Sequence, residues 1–239
     1  MKNKILTILC VVLAAMLVMT AFVVIPLKGD NSSDTEKIIQ VKELCQYPDL
    51  PTGCEATCAS MVLNYYGVDI TPQGFAGSWL EHNNDFEYID DKLYGPDPKE
   101  FFVGDPFDKY SYGCYAPAIA KAVNDNSVLC DAEVIYGKTV EQLCTKYIDN
   151  DKPLILWVTT SMRESKVEAS WYLEDNSCFY WKNGEHAMVL VGYDEIYYFL
   201  NDPESGSTVA YRKDVVEKRF VELGRQAVYI HTNDKSESY

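Results

Sequence analysis

Histidine is scarce in this chain, three in 239 residues, and basic residues are outnumbered, 21 Lys and Arg against 36 Asp and Glu. Lys2, Lys4 and Lys28 precede the first acid, Asp30, so only 18 basic residues face all 36 acids from Gly29 onward. No basic stripe remains to meet a phosphate backbone, and nucleic acid is excluded as a partner. There is no internal repeat and no low-complexity tract, which sets aside fibrous and array architectures. Closely spaced pairs of cysteine motifs are also missing. Cys54 and Cys58 with one distant histidine fall short of a usual ligand set, so neither metal nor cofactor is expected. What is present, 47% apolar and 13% aromatic residues, is the composition of a packed protein with one domain of about 200 residues.

One long apolar run does occur. Residues 5–27 carry no charge and lie between Lys4 and Lys28; at about 1.5 Å per residue they can cross about 30 Å of hydrocarbon. The only small-residue cluster, Ala14-Ala15, sits in the middle of the run, which favours an uncleaved anchor over a cleaved signal. Lys2 and Lys4 would hold that end in the cytoplasm and send the body of the chain outward. The expected location is the cell membrane with the domain outside, or secretion if the segment is removed. Cys10, preceded by Thr7-Ile8-Leu9, does not suit lipid attachment. The organisation expected is a membrane anchor or signal segment at 1–28, a polar linker at 29–40, a working domain at 41–232 and a polar tail at 233–239. Seven cysteines fall outside the apolar run, so at least one thiol lacks an intramolecular partner; setting Cys54 aside, the other six allow up to three bridges or none.

Within the working domain, residues 52–67 have helical spacing, with Ala59, Val62 and Tyr66 on one face and Gly67 as the stop. Residues 71–80 form a second helix with Thr71 as cap and Pro72 at its first position. The Gly- and Pro-rich stretch 81–112 reads as a long ordered loop. Helices follow at 117–124 and 140–150, then a buried strand at 153–159. Trp171-Tyr172-Leu173 and Cys178 to Trp181 flank a hairpin turn, and strands follow at 187–193, 196–200, 208–211 and 227–231, with one helix at 213–220. Helices first and antiparallel strands later predict an α+β domain.

Chemistry concentrates at four places. Cys54 opens the first helix behind Gly53, where the helix terminus is expected to favour the thiolate and the Cys54 N–H can face a developing oxyanion. His186 opens an apolar strand, Glu185-His186-Ala187-Met188-Val189-Leu190, and is the best base among the three histidines. Asp202, in Asn201-Asp202-Pro203, ends the next strand and would lie across from His186, fixing its tautomer; Asn201 is an alternative neutral orienter and Asp194 a weaker one. Gln46, eight residues before Cys54, offers a side-chain amide as a second oxyanion donor.

Taken together, Gln46, Pro51-Thr52-Gly53-Cys54-Glu55-Ala56-Thr57, Leu63-Asn64-Tyr65-Tyr66-Gly67, Tyr112-Gly113-Cys114-Tyr115-Ala116-Pro117, the His186 strand and Asn201-Asp202-Pro203 resemble the peptidase C39-like family. That family comprises stand-alone relatives of the bacteriocin-leader-processing cysteine peptidases. The likeness runs from about residue 40 to 231. It implies a papain-like fold in which an N-terminal helical part packs on a C-terminal antiparallel sheet. It also implies Cys54 as nucleophile, His186 as general base and later acid, Asp202 as orienter and Gln46 as oxyanion donor. Peptide or protein would be the substrate. The transporter membrane and ATP-binding domains of the leader-processing relatives are not seen after the domain, so export of a leader peptide does not follow. Cys58, one turn beyond Cys54, reads as core first, then as a disulfide partner or a resolving thiol. Two other functions fit the same residues: a peptidoglycan amide hydrolase, and a non-catalytic module binding peptide along Phe101, Phe102, Tyr110, Tyr112, Trp171, Tyr172 and Trp181. Oligomeric state is not legible.

Overall fold

Strand β1 (Lys37–Ile38) enters a sheet almost at once in this computed structural model, which describes residues 36–233. Helix α1 (Cys54–Tyr65) follows Gly53, and helix α2 (Pro72–Ser78) begins where Thr71 Oγ1 accepts the Gly74 N–H at 3.0 Å. Next come β2 (His82–Asn83), β3 (Glu87–Ile89), β4 (Lys92–Tyr94) and β5 (Phe102–Val103), then α3 (Ala116–Asn126) and β6 (Cys130–Tyr136). Helix α4 (Val140–Lys146) starts in a Thr139/Gln142 capping box and is followed by β7 (Leu154–Thr159). The rest is β8 (Val167–Tyr172), β9 (Cys178–Lys182), β10 (Glu185–Tyr193), β11 (Tyr197–Asp202), β12 (Ser207–Arg212), α5 (Lys213–Glu222) and β13 (Gln226–Thr232).

The large sheet has the order β12-β11-β10-β7-β13-β6 and is antiparallel throughout, with β1 paired to the far end of β10. Every residue of β7 and each position from His186 to Gly192 in β10 is buried, which explains their unbroken apolar sequences: both faces are covered. Helix α1 packs on β10 and β7, and α5 packs on β7. Helix α1 is itself buried from Cys54 to Leu63, so it is the central element of the core. Its hydroxyls are satisfied internally, Thr57 bonding to the Gly53 carbonyl at 2.8 Å and Ser60 to that of Ala56 at 2.9 Å.

Several expectations are corrected. Lys37 to Gln40 are not linker: β1 is part of the sheet, Ile39 and Val41 are buried, and the compact unit begins at Glu36. The stretch 81–112 contains four short strands rather than one loop. Strand β6 was not expected. The β8–β9 hairpin forms a separate sheet, β3-β4-β8-β9, so the later strands do not share a single sheet. The apolar run 5–27 lies outside the described residues, as do residues 234–239. Among the described residues, no helix is long and apolar enough to cross a membrane.

Candidate active site

The Gly53–Cys54 turn closes only around glycine, because a Cβ at Gly53 would come within 2.7 Å of the Leu50 Cβ. Gly53 is the N-cap of α1 and brings no side chain to it, which leaves the first N–H groups of the helix without a capping partner. Cys54 therefore starts the helix as expected. Its sulfur lies against β10, where the Ala187 N–H donates to Sγ at 3.5 Å. The Cys58 S–H donates to the Ala187 carbonyl at 3.3 Å, so two cysteines a turn apart seat α1 on one residue of β10.

His186 immediately precedes that residue. The β10–β11 ladder pairs Val189 with Asn201; the same register sets Asp202 opposite Met188, two residues from His186 and on the same face. Asp202 Oδ1 accepts a hydrogen bond from His186 Nε2 at 2.9 Å, and both side chains are buried. The Glu204 N–H also donates to Oδ1, at 2.9 Å. Burial pushes the Asp202 carboxyl upward, but the His186 hydrogen bond and charge and the N–H groups of Glu204 and Ser205 outweigh it and hold the group below its usual range. With Nε2 turned to the carboxylate, Nδ1 is the ring nitrogen left to take up a proton.

The other candidates are engaged elsewhere. Asn201 donates to the Val41 carbonyl at 2.9 Å and accepts from Thr208 Oγ1 at 2.8 Å. Asp194 Oδ1 accepts the N–H groups of Ile196 and Tyr197, at 2.7 and 2.6 Å, in a turn. His82 bonds to the Ala76 carbonyl and His231 to that of Thr232. Gln46 sits beside Asp202, its own N–H donating to the Pro203 carbonyl at 2.9 Å. Its side-chain Nε2, however, donates to the Leu50 and Pro51 carbonyls, each at 3.1 Å, while Oε1 is buried without a partner among the described residues. Gln46 is therefore not a free oxyanion donor; one of those bonds must open first. All seven cysteines of the described residues are free thiols, and Cys58 is core.

Two carboxyls missed in the sequence reading complete the site. Glu55, fully buried, accepts the Cys54 S–H on Oε2 at 3.2 Å and the Cys114 N–H on Oε1 at 2.7 Å. A carboxylate oxygen of Glu185 lies within 4.8 Å of both a Glu55 oxygen and Cys54 Sγ. Gly113, at φ +141°, makes the room: a Cβ there would meet Glu55 Oε1 at 2.6 Å and Glu185 Oε2 at 3.1 Å. The Tyr112 to Pro117 motif is thus the backing of this carboxyl pair, with the Cys114 carbonyl accepting Trp157 Nε1–H at 2.8 Å and Tyr115 stacked on Trp181. The available signal was Glu55 itself, a lone charge in an otherwise uncharged helix.

These carboxyls correct one expectation about the sulfur. Burial pushes the Cys54 thiol well above its usual value, the charges of Glu55 and Glu185 push the same way, and the Ala187 N–H opposes them without prevailing. The expected lowering by the helix terminus is opposed here by burial and by both carboxyls. Among the described residues, the hydrogen bonds of Cys54 Sγ join it to Glu55 and Ala187 and not to His186. Two trios of donor atoms are close enough to hold a cation, Cys54 with Glu55 and Glu185, and His186 with Asp202 and Glu204. Hydrogen bonds within and around each trio already engage Cys54, Glu55, His186 and Asp202.

A cavity of about 1040 Å³ lies elsewhere, lined by Phe86, Tyr94 and Phe101 and by six acids including Asp85, Asp97 and Glu174. None of Cys54, His186 and Asp202 is in its wall. Of the aromatic residues expected to line a groove, Phe101 does; Phe102, Trp171 and Trp181 are core.

The pattern of the Peptidase C39 like family matches residues 38–228. The chain belongs to that family. Among its relatives, the uncharacterized protein YvpB of Bacillus subtilis (strain 168) is 28% identical over 184 residues, 77% of this chain and 70% of that protein. A crystal structure of a C39-like peptidase from Bacillus anthracis superposes with a TM-score of 0.73 at 22% identity, covering 84% of this chain and 99% of that one. The fold is therefore the α+β C39-like fold, built on an antiparallel sheet. A double glycine motif protease from an AMS/PCAT transporter, crystallised with its leader peptide, is a looser match, with a TM-score of 0.49, 16% identity and coverage of 83% and 96%.

Proposed function

We propose that this member of the peptidase C39-like family is a cysteine peptidase that cleaves peptide amide bonds through a thioester on Cys54. The observation that carries the reading is the buried His186 Nε2–Asp202 bond of 2.9 Å, one residue from the Ala187 N–H that touches Cys54 Sγ. With the Cys54 S–H donating to Glu55 and burial pushing the thiol up, His186 acts as a general base at the moment of attack rather than in a standing ion pair. Nδ1 takes the thiol proton, sulfur bonds to the carbonyl carbon, and the carbonyl electron pair moves to oxygen. Collapse breaks the C–N bond, and the departing amine takes the proton from Nδ1. Water then attacks the thioester, giving a proton to Nδ1, and the released sulfur recovers it. The Cys54 N–H and a released Gln46 amide would serve the oxyanion.

The apolar run 5–27 supports a membrane-tethered enzyme acting outside the cell. The test is cleavage of a peptide library by the full chain, with Cys54→Ala and His186→Ala as controls. Cleavage lost in both variants supports the reading; cleavage surviving in Cys54→Ala removes it. A second reading, a module that binds peptide without turnover, is favoured by the burial of the sulfur and its hydrogen bond to Glu55. It predicts peptide binding unaltered by Cys54→Ala and no cleavage by the unmodified chain.

A further inference from the structure

The peptidase mechanism uses Cys54, His186 and Asp202 and leaves unexplained why a buried carboxyl, Glu55, and a half-buried one, Glu185, stand against the sulfur. Burying an unpaired carboxylate is costly, and burying two within 4.8 Å of one another and of a thiol is more so. Two carboxylates this close repel one another, which favours one proton held between them. The hydrogen bonds say which oxygens carry charge. Glu55 accepts from both the Cys114 N–H and the Cys54 S–H, as an ionised carboxylate does. Glu185 Oε1 is buried without a partner among the described residues, which suits a neutral acid.

We propose that Glu55 and Glu185 share one proton and that the S–H···Glu55 hydrogen bond keeps Cys54 a protonated thiol at rest, so that His186 must take its proton during attack. This rests on Cys54 being the nucleophile, but its consequence is a property of the free sulfur that can be read without any peptide. The charge on Glu55 raises the cost of forming a second anion beside it. Burial drives both carboxyls up; hydrogen bonds from the Cys114 N–H and Cys54 and the nearby His186 hold Glu55 back, whereas Glu185 is pushed further by Glu55 and is opposed by a Trp157 hydrogen bond. The other titratable groups around the pair are His186 from β10, Asp202 from β11, Cys58 from α1, and Tyr47, Cys114 and Tyr115 from the neighbouring loops. Among the described residues, the Cys54 S–H donates to Glu55 and to none of these groups.

Glu55→Gln keeps the shape and an oxygen for the Cys114 N–H while removing the charge. The experiment is iodoacetamide alkylation of the full chain across pH, with modification of Cys54 itself assigned by fragment-ion mass spectrometry so that Cys45 and Cys58 nearby in sequence and exposed Cys178 are counted separately. The unmodified protein is expected to alkylate slowly at Cys54 near neutral pH, rising only on the alkaline side. Glu55→Gln is expected to alkylate about tenfold faster or more at neutral pH, a shift of about one pKa unit. Glu185→Gln, a neutral replacement for an already neutral acid, is expected to stay within about twofold of the unmodified rate. A rate in the unmodified protein that is already at its plateau below neutral pH overturns the proposal, even if neither variant folds. An unchanged Glu55→Gln rate overturns the hold on the sulfur, and a Glu185→Gln rate raised as much as that of Glu55→Gln overturns the shared proton. Absence of peptide cleavage with these alkylation results intact would count against the peptidase reading alone.

Discussion

Nε2 of His186 lies 2.9 Å from Oδ1 of Asp202, two side chains brought together by the β10–β11 ladder from positions sixteen residues apart. An imidazole held this way presents Nδ1 in one orientation, so loss of the carboxylate costs both the tautomer and the aim. Asp202→Ala is expected to lower the peptide cleavage rate by roughly 10²- to 10⁴-fold, the worth of a positioned acid–base group. The carboxyl is held below its usual range in the fold, so its contribution to stability is full above the ordinary value of about 3.9 and is lost as pH falls through the lowered one. The gap in unfolding free energy between the unmodified chain and Asp202→Ala should therefore narrow in acid. A gap that widens toward low pH would contradict the assignment.

Gly192 is where the first described strand closes on the His186 strand. A Cβ at Gly192 would lie 2.1 Å from the Lys37 carbonyl oxygen and 3.0 Å from the Ile38 Cα, both backbone atoms that cannot step aside alone. Gly192→Ala is expected to detach β1 and cost about 1–3 kcal/mol, as overpacking does. Denaturant unfolding gives the cost, and faster amide exchange at Ile39, whose N–H donates to the Val191 carbonyl at 2.7 Å, locates it. Unchanged exchange at Ile39 would mean that β1 contributes little to the edge.

Most elements were legible because their signals are local. Thr71-Pro72 marks the start of α2, and the uniform apolar runs of β7 and β10 mark strands covered on both faces. Cys54, His186 and Asp202 were legible for a related reason, since each stands at the end of an element whose boundary the sequence marks. Strand β6 was missed because its alternation, Cys130-Asp131-Ala132-Glu133, places two acids on the exposed face of an edge strand, where they read as loop. The small strands of residues 81–112 were missed because two or three residues carry no periodicity. Glu55 and Glu185 were overlooked although each adjoins a named residue, because a carboxyl's burial depends on distant Gly113 and Cys114, not on its own neighbours. The expected lowering of the Cys54 thiol met an opposing effect for the same reason: a helix terminus is visible in sequence, whereas desolvation by a whole core is not.

Cys58 gives a sharp contrast with Cys54 one turn away. It is fully buried, its S–H donates to the Ala187 carbonyl at 3.3 Å, and it serves as packing between α1 and β10. Cys58→Ala is expected to cost about 0.5–3 kcal/mol of stability, the ordinary range for a core truncation, and to leave peptide cleavage within about threefold. Thermal unfolding and cleavage kinetics on one preparation check both. Cleavage lost with stability intact would give Cys58 a chemical role instead.

Glu185 should affect stability with a sign opposite to that of Asp202. Burial and the facing Glu55 charge raise its carboxyl well above the ordinary value, so the fold binds that proton more tightly than the unfolded chain does. The unfolded chain releases the proton near pH 4.3, and from there upward the fold loses stability until pH passes the raised value. Glu185→Gln abolishes that loss, because a neutral amide has no proton to release. The variant is therefore expected to equal the unmodified chain below about pH 4 and to exceed it increasingly toward neutral pH. Urea unfolding at a series of pH values measures the divergence. Curves that run parallel across the range would show that the Glu185 carboxyl titrates alike in both states, and a Glu185→Gln chain that is less stable at neutral pH would show that the carboxyl is ionised and paired in the fold.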